Sequence, residues 1–169
     1  VLFIANGFAK NYVGQIKNVL QGRLQVTEAR DVQECDVIVS LCTIVSRVGT
    51  DVEAALREIP PTTKPALLVV LHQTFDVDYT VPNTQRFVKQ GRMVTTDLLF
   101  NEDDGLLICS RNEGSLKKAT DFLSLNESHR PTNSSLMDWL WSSVLMLFGL
   151  FISKPIQRFH AWLRKKLRF

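Results

Sequence analysis

Residues 46–56, SRVGTDVEAAL, are where this chain comes nearest to chemistry. They read as the end of a strand, a glycine turn and the start of a helix, so Glu53 is either a reactive carboxylate facing a ligand or part of the helix's own cap. The cap has a complete explanation, because Thr50 and Glu53 stand three residues apart in the S/T-x-x-E pattern. In that pattern the hydroxyl and the carboxylate each accept an orphan amide hydrogen, worth about 1 kcal/mol. Arg47 and Ser46 at the strand's end suit an anion or plain solvent. Other chemistries lack their signatures. Gly7 stands alone after the first apolar run, with neither GxGxxG nor GxxxxGK[ST] to cradle phosphates. His72, His129 and His160 fall in a strand, a linker and a basic tail, so no metal cluster is expected, and no cofactor is implied. His72 lies at a strand's carboxyl end, where open α/β sheets bind ligands, but an ordinary hydrogen-bonded histidine is the simpler expectation. The acidic stretches at 76–78 and 101–104 lack the spaced oxygen ligands of a calcium loop and read as solvated turns.

The elements that would position these residues alternate regularly. Strand-like runs at 1–5, 24–29, 35–45 and 65–73 are separated by helical patterns, one with Tyr12, Val13, Ile16, Val19 and Leu20 as its stripe and one over 51–59 that stops before Pro60 and Pro61. The runs at 35–45 and 65–73 carry continuous valine, leucine and isoleucine rather than strict alternation, as strands buried on both faces do. Further along, 74–85 reads as a loop, 92–100 as a strand, 101–105 as a tight turn and 106–110 as another strand. Residues 115–125 then close the domain with a helix whose Leu116, Ala119, Phe122 and Leu123 share a face. The expected fold is α/β, a three-layer, doubly wound, mainly parallel sheet of flavodoxin-like or Rossmann-like outline over 1–125, followed by an apolar and basic helical tail.

Composition agrees with one domain and an appendage. The 169 residues are 45% hydrophobic and 22% charged, enough for a sizeable core. The net charge of +3 conceals an imbalance. Residues 136–169 hold six basic side chains against Asp138, a surplus of five, which leaves 1–135 at −2. A nucleic-acid-binding face on the body is therefore not expected. Cys35, Cys42 and Cys109 are odd in number and lack CxxC spacing, which suits free thiols in a reducing compartment. VLFIANGF is too short, and lacks the basic region, for a secretory signal.

After a polar linker at 126–135, residues 136–152 form a 17-residue apolar run with one charge. As a helix it spans roughly 25 Å, just under a hydrocarbon core of about 30 Å. Trp139 and Trp141 suit the interfacial belt, while Phe148 and Phe151 continue the apolar surface. Residues 153–169 read as a basic amphipathic helix. Ile156, Phe159, Leu163 and Leu167 repeat at helical spacing, with Trp162 beside them, and Arg164, Lys165 and Lys166 would meet anionic headgroups. Ser135, Asp138, Ser142, Gly149 and Ser153 form a narrow small or polar stripe through which two tails could pair as a homo-oligomer. Basic residues after the apolar run favour a cytosolic carboxyl end, and sequons at Asn126 and Asn133 fit an outside domain, whereas free cysteines favour a cytosolic domain. The expectation is a cytosolic domain, with a tail that lies in one leaflet or carries its short basic end across.

The first strand and turn, LFIANGF, together with GTDVEAAL, resemble the nucleoside 2-deoxyribosyltransferase-like group of α/β proteins over about residues 1–72. That resemblance implies a glutamate presented to a sugar's anomeric carbon, with Glu53 as nucleophile and Asn6, Gly7, Arg47, Gly49 and Thr50 around the ligand. Where the family usually carries an acidic residue two positions before the glycine, this chain has Arg47. Two functions are therefore expected in order. The first is a membrane-tethered, non-catalytic domain that binds a protein or small ligand. The second is an N-glycosidic-bond enzyme acting through Glu53 on a nucleoside or NAD.

Overall fold

The computed structural model describes residues 1–88 and 91–126. The tail, including Trp139, Trp141, Phe148, Phe151, Phe159, Trp162, Arg164, Lys165 and Lys166, lies outside the described residues. The chain has an α/β fold built on a mixed, mostly parallel five-stranded sheet. Strands β1 (Leu2–Ala5), β2 (Ile38–Ile44), β3 (Ala66–Gln73) and β4 (Met93–Asn101) pair in parallel in that spatial order, and the two-residue β5 (Gly105–Leu106) returns antiparallel against β4.

The side chains of β2 and β3 alternate between two packed layers, which is why neither strand needs a polar face. Val39, Leu41, Leu67, Val69 and Leu71 pack with Leu98 and Phe100 of β4 against Ile16 and Leu20 of α1 (Val13–Gln21) and Leu116, Ala119 and Leu123 of α3 (Ser110–Asn126). On the opposite face Cys42, Leu68 and Val70 meet Val52 of α2 (Val48–Glu58), Val88, and the ring of Phe87 in a short 3-10 turn at Thr84–Phe87. Each aliphatic side chain so buried contributes on the order of 1.5–3 kcal/mol. A second 3-10 turn, Gly7–Tyr12, links β1 to α1.

The expected strand at 24–29 is not a formal member of the sheet, yet it touches the outer side of β1. The Val1 nitrogen donates to the Thr27 carbonyl at 2.7 Å and the Ala29 N–H donates to the Val1 carbonyl at 2.8 Å, a parallel pairing one residue long. The expected strand at 106–110 shrinks to β5, because Ser110 already opens α3. This early start has a purpose at the sheet's other edge. Past β5, the outward backbone groups of β4 have no strand to bond among the described residues, and α3 supplies side chains at i, i+3 and i+6 instead. Asn112 accepts from the Leu99 N–H at 2.7 Å and donates to the Leu99 and Leu107 carbonyls, Ser115 Oγ donates to the Asp97 carbonyl, and Lys118 Nζ donates to the Thr95 carbonyl.

Replacing Asn112 with alanine strands the buried Leu99 N–H without its acceptor. The expected cost is about 2–3 kcal/mol, read as a lower urea midpoint with unchanged m-value. Lys118→Met, at the more exposed end of the same row, is expected to cost less than about 1 kcal/mol.

Candidate functional site

The carboxyl ends of β1 and β2 open beside α2 into a cavity of about 240 Å³. Its floor is the sheet face that carries Ile4, Ser40 and Cys42, its wall is Asp51, Ala54, Ala55 and Glu58 of α2, and its mouth is formed by Asn6, Gly7, Phe8 and Val45. Gly7 has φ +51°, a left-handed conformation that costs other residues roughly 1–2 kcal/mol, so glycine here lets the chain turn sharply at the rim. Among the described residues no helix packs over this part of the sheet, which leaves the cavity. All four residues of β1 are only partly buried, although neighbours lie on both sides of the strand.

The structure brings Asn6 and Gly7 to this cavity and leaves Arg47, Gly49, Thr50 and Glu53 off its lining. Glu53 lies on the outer side of α2. Its side chain is 62% exposed and stands 3.8 Å from Arg57 one turn later, an exposed pair of small energetic weight. The capping-box reading also shifts. The helix opens at Val48 with Arg47 as its N-cap, which puts Thr50 at the third helical position and Glu53 beyond the first turn. Gly49 likewise serves packing rather than ligand access, since a Cβ there would come within 3.1 Å of the Phe87 ring.

The carboxylate that governs this loop is Asp51, two residues before Glu53. Its Oδ2 accepts from the Val45 and Ser46 N–H groups at 2.8 Å each, and its Oδ1 accepts from the Ser46 hydroxyl at 2.8 Å. Burial pushes its pKa up, but the hydrogen bonds from Ser46, Val45 and Arg47 outweigh that penalty and hold it below the ordinary value. The signal was present in sequence as an aspartate four residues into the helix, where its side chain reaches back to the preceding loop. Cys42 is the other reactive group in the cavity. Burial first, then the charge of Asp51, pushes its thiol up to about 12, so it is a protonated, poorly nucleophilic packing group.

His72 sits further along the same sheet face in a separate network. Its Nε2 is 2.9 Å from Asp97 Oδ1, and the Thr84 hydroxyl lies 2.9 Å from both Asp97 oxygens and 3.0 Å from Thr95 Oγ1. This is the hydrogen-bonded histidine that the simpler expectation describes. It pins the 3-10 turn at Thr84–Phe87 to β3 and β4. At the sheet's amino edge a second hollow is lined by Lys64 and Arg92, but both cations are spent on backbone carbonyls, those of Gln33 and Cys35 for Lys64 and that of Thr63 for Arg92. Among the described residues no group of three or more His, Cys, Asp or Glu side chains could hold a metal ion, and no helix is long and apolar enough to cross a membrane. No protein-family model, curated protein or solved structure matches the chain, so the site is read from its own geometry.

Because the Asp51 carboxyl titrates lower in the folded protein than in the unfolded chain, the stability it contributes is complete above the ordinary carboxylate range of about pH 4. That contribution is lost as pH falls through the depressed folded value. The stability advantage of the wild type over Asp51→Asn is expected to be flat near neutrality and to narrow between about pH 5 and about pH 2, followed as urea midpoints across that range. An advantage that is independent of pH over this interval would count against the assignment.

Proposed function

We propose that this chain is a membrane-tethered, non-catalytic binding module. Its α/β body offers the cavity beside α2 to a ligand or partner, and its apolar and basic tail sets its location at an anionic membrane. One observation carries the binding reading: every reactive group around the β2–α2 turn already has a structural role. Asp51 is saturated by loop donors, Cys42 is held as a thiol, and Glu53 faces solvent beside Arg57. Glu53, the glutamate offered as a glycosidic nucleophile, is off the cavity's lining. Exposed apolar side chains follow three successive strands at the carboxyl side of the sheet, Phe8 after β1, Val45 after β2 and Phe75, Val77 and Tyr79 after β3. Such grouping favours association with a partner over bare solvent.

The fold outline we read is doubly wound and flavodoxin-like, and two observations support it. Helices α1 and α2 pack on opposite faces although β1, β2 and β3 are spatial neighbours in order. Right-handed crossovers moving in one direction would put both helices on the same face. The difficulty disappears if the chain passes from β1 through α1 to the outer segment beside Val1, then returns beneath the sheet through 30–37 to β2. In this winding the return connection carries no helix, and the cavity is the space such a helix would fill.

Membrane tethering is supported by the sequence of 136–169, with its uninterrupted apolar run and five surplus positive charges. In cell fractionation the full chain is expected with membranes and a chain ending at 135 in the soluble fraction. Equal membrane recovery of both would defeat the tether. For the chemistry, Glu53→Gln is expected to leave base release from nucleosides and from NAD at the same background level as the wild type. A measurable wild-type rate that the substitution abolishes would restore the enzyme reading.

A further inference from the structure

The segment between β3 and the Thr84–Phe87 turn is anchored at both ends. The Thr74 N–H donates to the Phe100 carbonyl at 2.8 Å, and at the far end the Thr84 hydroxyl donates to Asp97 at 2.9 Å. Its interior is ordered by its own polar groups. Thr74 Oγ1 accepts from the Asp76 N–H at 3.1 Å, Asp76 Oδ1 accepts from the Asp78 N–H at 2.9 Å, and the Asp76 carbonyl accepts from the Tyr79 N–H at 3.2 Å. These backbone groups are served from within, and the apolar side chains are the ones left outside. Phe75 is 71% exposed, with Val77 and Tyr79 exposed after it. Val45, exposed as well, follows β2, whose last residue Ile44 registers with His72 near the end of β3. Two aromatic rings and a valine held toward water in one fixed turn have the make-up of an interface core whose ordering cost its own bonds have already reduced.

The charges beside this apolar surface select its occupant. Segments 73–83 and 101–108 carry five acidic side chains, Asp76, Asp78, Glu102, Asp103 and Asp104, and no lysine or arginine. The two segments stand side by side, since Gln73 Nε2 donates to Glu102 Oε1 at 3.2 Å. All five acidic residues are exposed, and among the described residues no cation pairs with any of them. Carboxylates alone would be served well enough by water and salt. Here two of them alternate with the exposed side chains in the order Phe75, Asp76, Val77, Asp78, Tyr79. An arginine or lysine side chain meets both needs of that pattern, because its stem covers a ring while its head reaches a carboxylate. The same charges turn away other large surfaces that exposed aromatics could meet. An anionic membrane repels each carboxylate carried toward it, and so does a nucleic-acid backbone.

We propose that the surface formed by 75–79 and 101–104 docks a basic, apolar segment of a partner protein, one in which arginine or lysine alternates with aliphatic or aromatic residues. Phe75, Val77 and Tyr79 receive the stems of the basic side chains and the apolar side chains between them. Asp76 and Asp78 take the nearest cationic heads, while Glu102, Asp103 and Asp104 supply the field that draws the segment in. The inference rests on the binding-module reading and names the chemistry of its partner. It sets that partner at the carboxyl ends of β3 and β4, outside the cavity's lining.

The test is fluorescence anisotropy of the full chain in a neutral detergent with three dye-labelled peptides of one design, Arg-Leu-Arg-Phe-Arg-Leu-Arg and the same sequence with glutamine or glutamate at every arginine. The arginine peptide is expected to bind at least about tenfold more tightly than the glutamine peptide at low salt, with the glutamate peptide weakest, and the gap is expected to narrow at about 0.5 M salt. Asp76→Asn combined with Asp78→Asn keeps the side-chain acceptor that the turn uses, and is expected to remove at least about fivefold of that advantage. Glu53→Gln, on the outer side of α2, is expected to remove none. Phe75→Ser, at an exposed position where the urea midpoint is expected to stay unchanged, weakens the arginine and glutamine peptides alike, whereas binding to the micelle alone does not respond to any of these substitutions. Equal affinities for the arginine and glutamine peptides, or an arginine-peptide affinity untouched by the double substitution, overturn the basic partner while leaving an apolar partner surface in place. Affinities untouched by Phe75→Ser overturn the surface itself. Failure of all three peptides also overturns the proposal. If Phe75→Ser then lowers recovery of the full chain on phosphatidylcholine and phosphatidylserine vesicles, the loop is a membrane contact; if recovery is unchanged, the binding-module reading loses this surface as well.

Discussion

Seven consecutive buried residues on β3, residues 66–72, leave neither face of the middle of the sheet able to meet water. That two-sided burial is the constraint on which the other elements depend. It requires cover above and below, which α1 and α3 supply on one face and α2 with the Phe87 turn on the other. It also forces His72, the one ionisable residue of the buried run, to find a partner within the protein. Asp97 provides it across the neighbouring strand, and Thr84 ties the same carboxylate to the segment that crosses that face. A hydrophobic requirement in one strand thus becomes a polar network that anchors a loop.

The edges of the sheet are resolved by different means. Along β4 the outward backbone groups would be a template for another chain, and the polar row of α3 occupies them with an amide, a hydroxyl and an ammonium. Near β1 the cover is thinner. Two backbone bonds hold 27–29 to Val1, and among the described residues the adjoining sheet face lies open beside α2. Among the described residues the sheet is therefore closed along β4 and open beside β1. The open flank is the carboxyl side of β1 and β2, where a loop tied down by Asp51 meets a glycine turn at Gly7.

Much of the architecture was legible because apolar periodicity reports burial directly. The runs at 1–5, 35–45, 65–73 and 92–100 became β1 to β4, and the stripes around Ile16 and Leu116 became faces of α1 and α3. The boundaries were less legible. Helix α2 begins at Val48 rather than at the Thr50 cap pattern, because Asp51 satisfies the loop amides from inside the helix and makes a hydroxyl cap unnecessary. Helix α3 begins at Ser110 rather than at 115, and Asn112 in its added first turn serves the unpaired edge of β4. The motif that seemed to offer chemistry followed the same course. Glu53 has the spacing of a site residue, but the helix's rotation carries it to the solvent side.

The amino-acid sequence by itself determined the strand-and-helix alternation, the fully buried centre of the sheet and the uneven split of charge between body and tail. These are properties of local pattern and composition, and they persist under any arrangement of the elements. Tertiary structure decided which carboxylate matters, because a side chain's role depends on the donors that other segments bring to it. Asp51 gathers three donors from the loop before its helix, while Glu53, two residues on and on another side of the same turn, gathers none beyond Arg57. The cavity too is a tertiary fact: segments far apart in sequence bound it, and no residue type in the sequence announces a space.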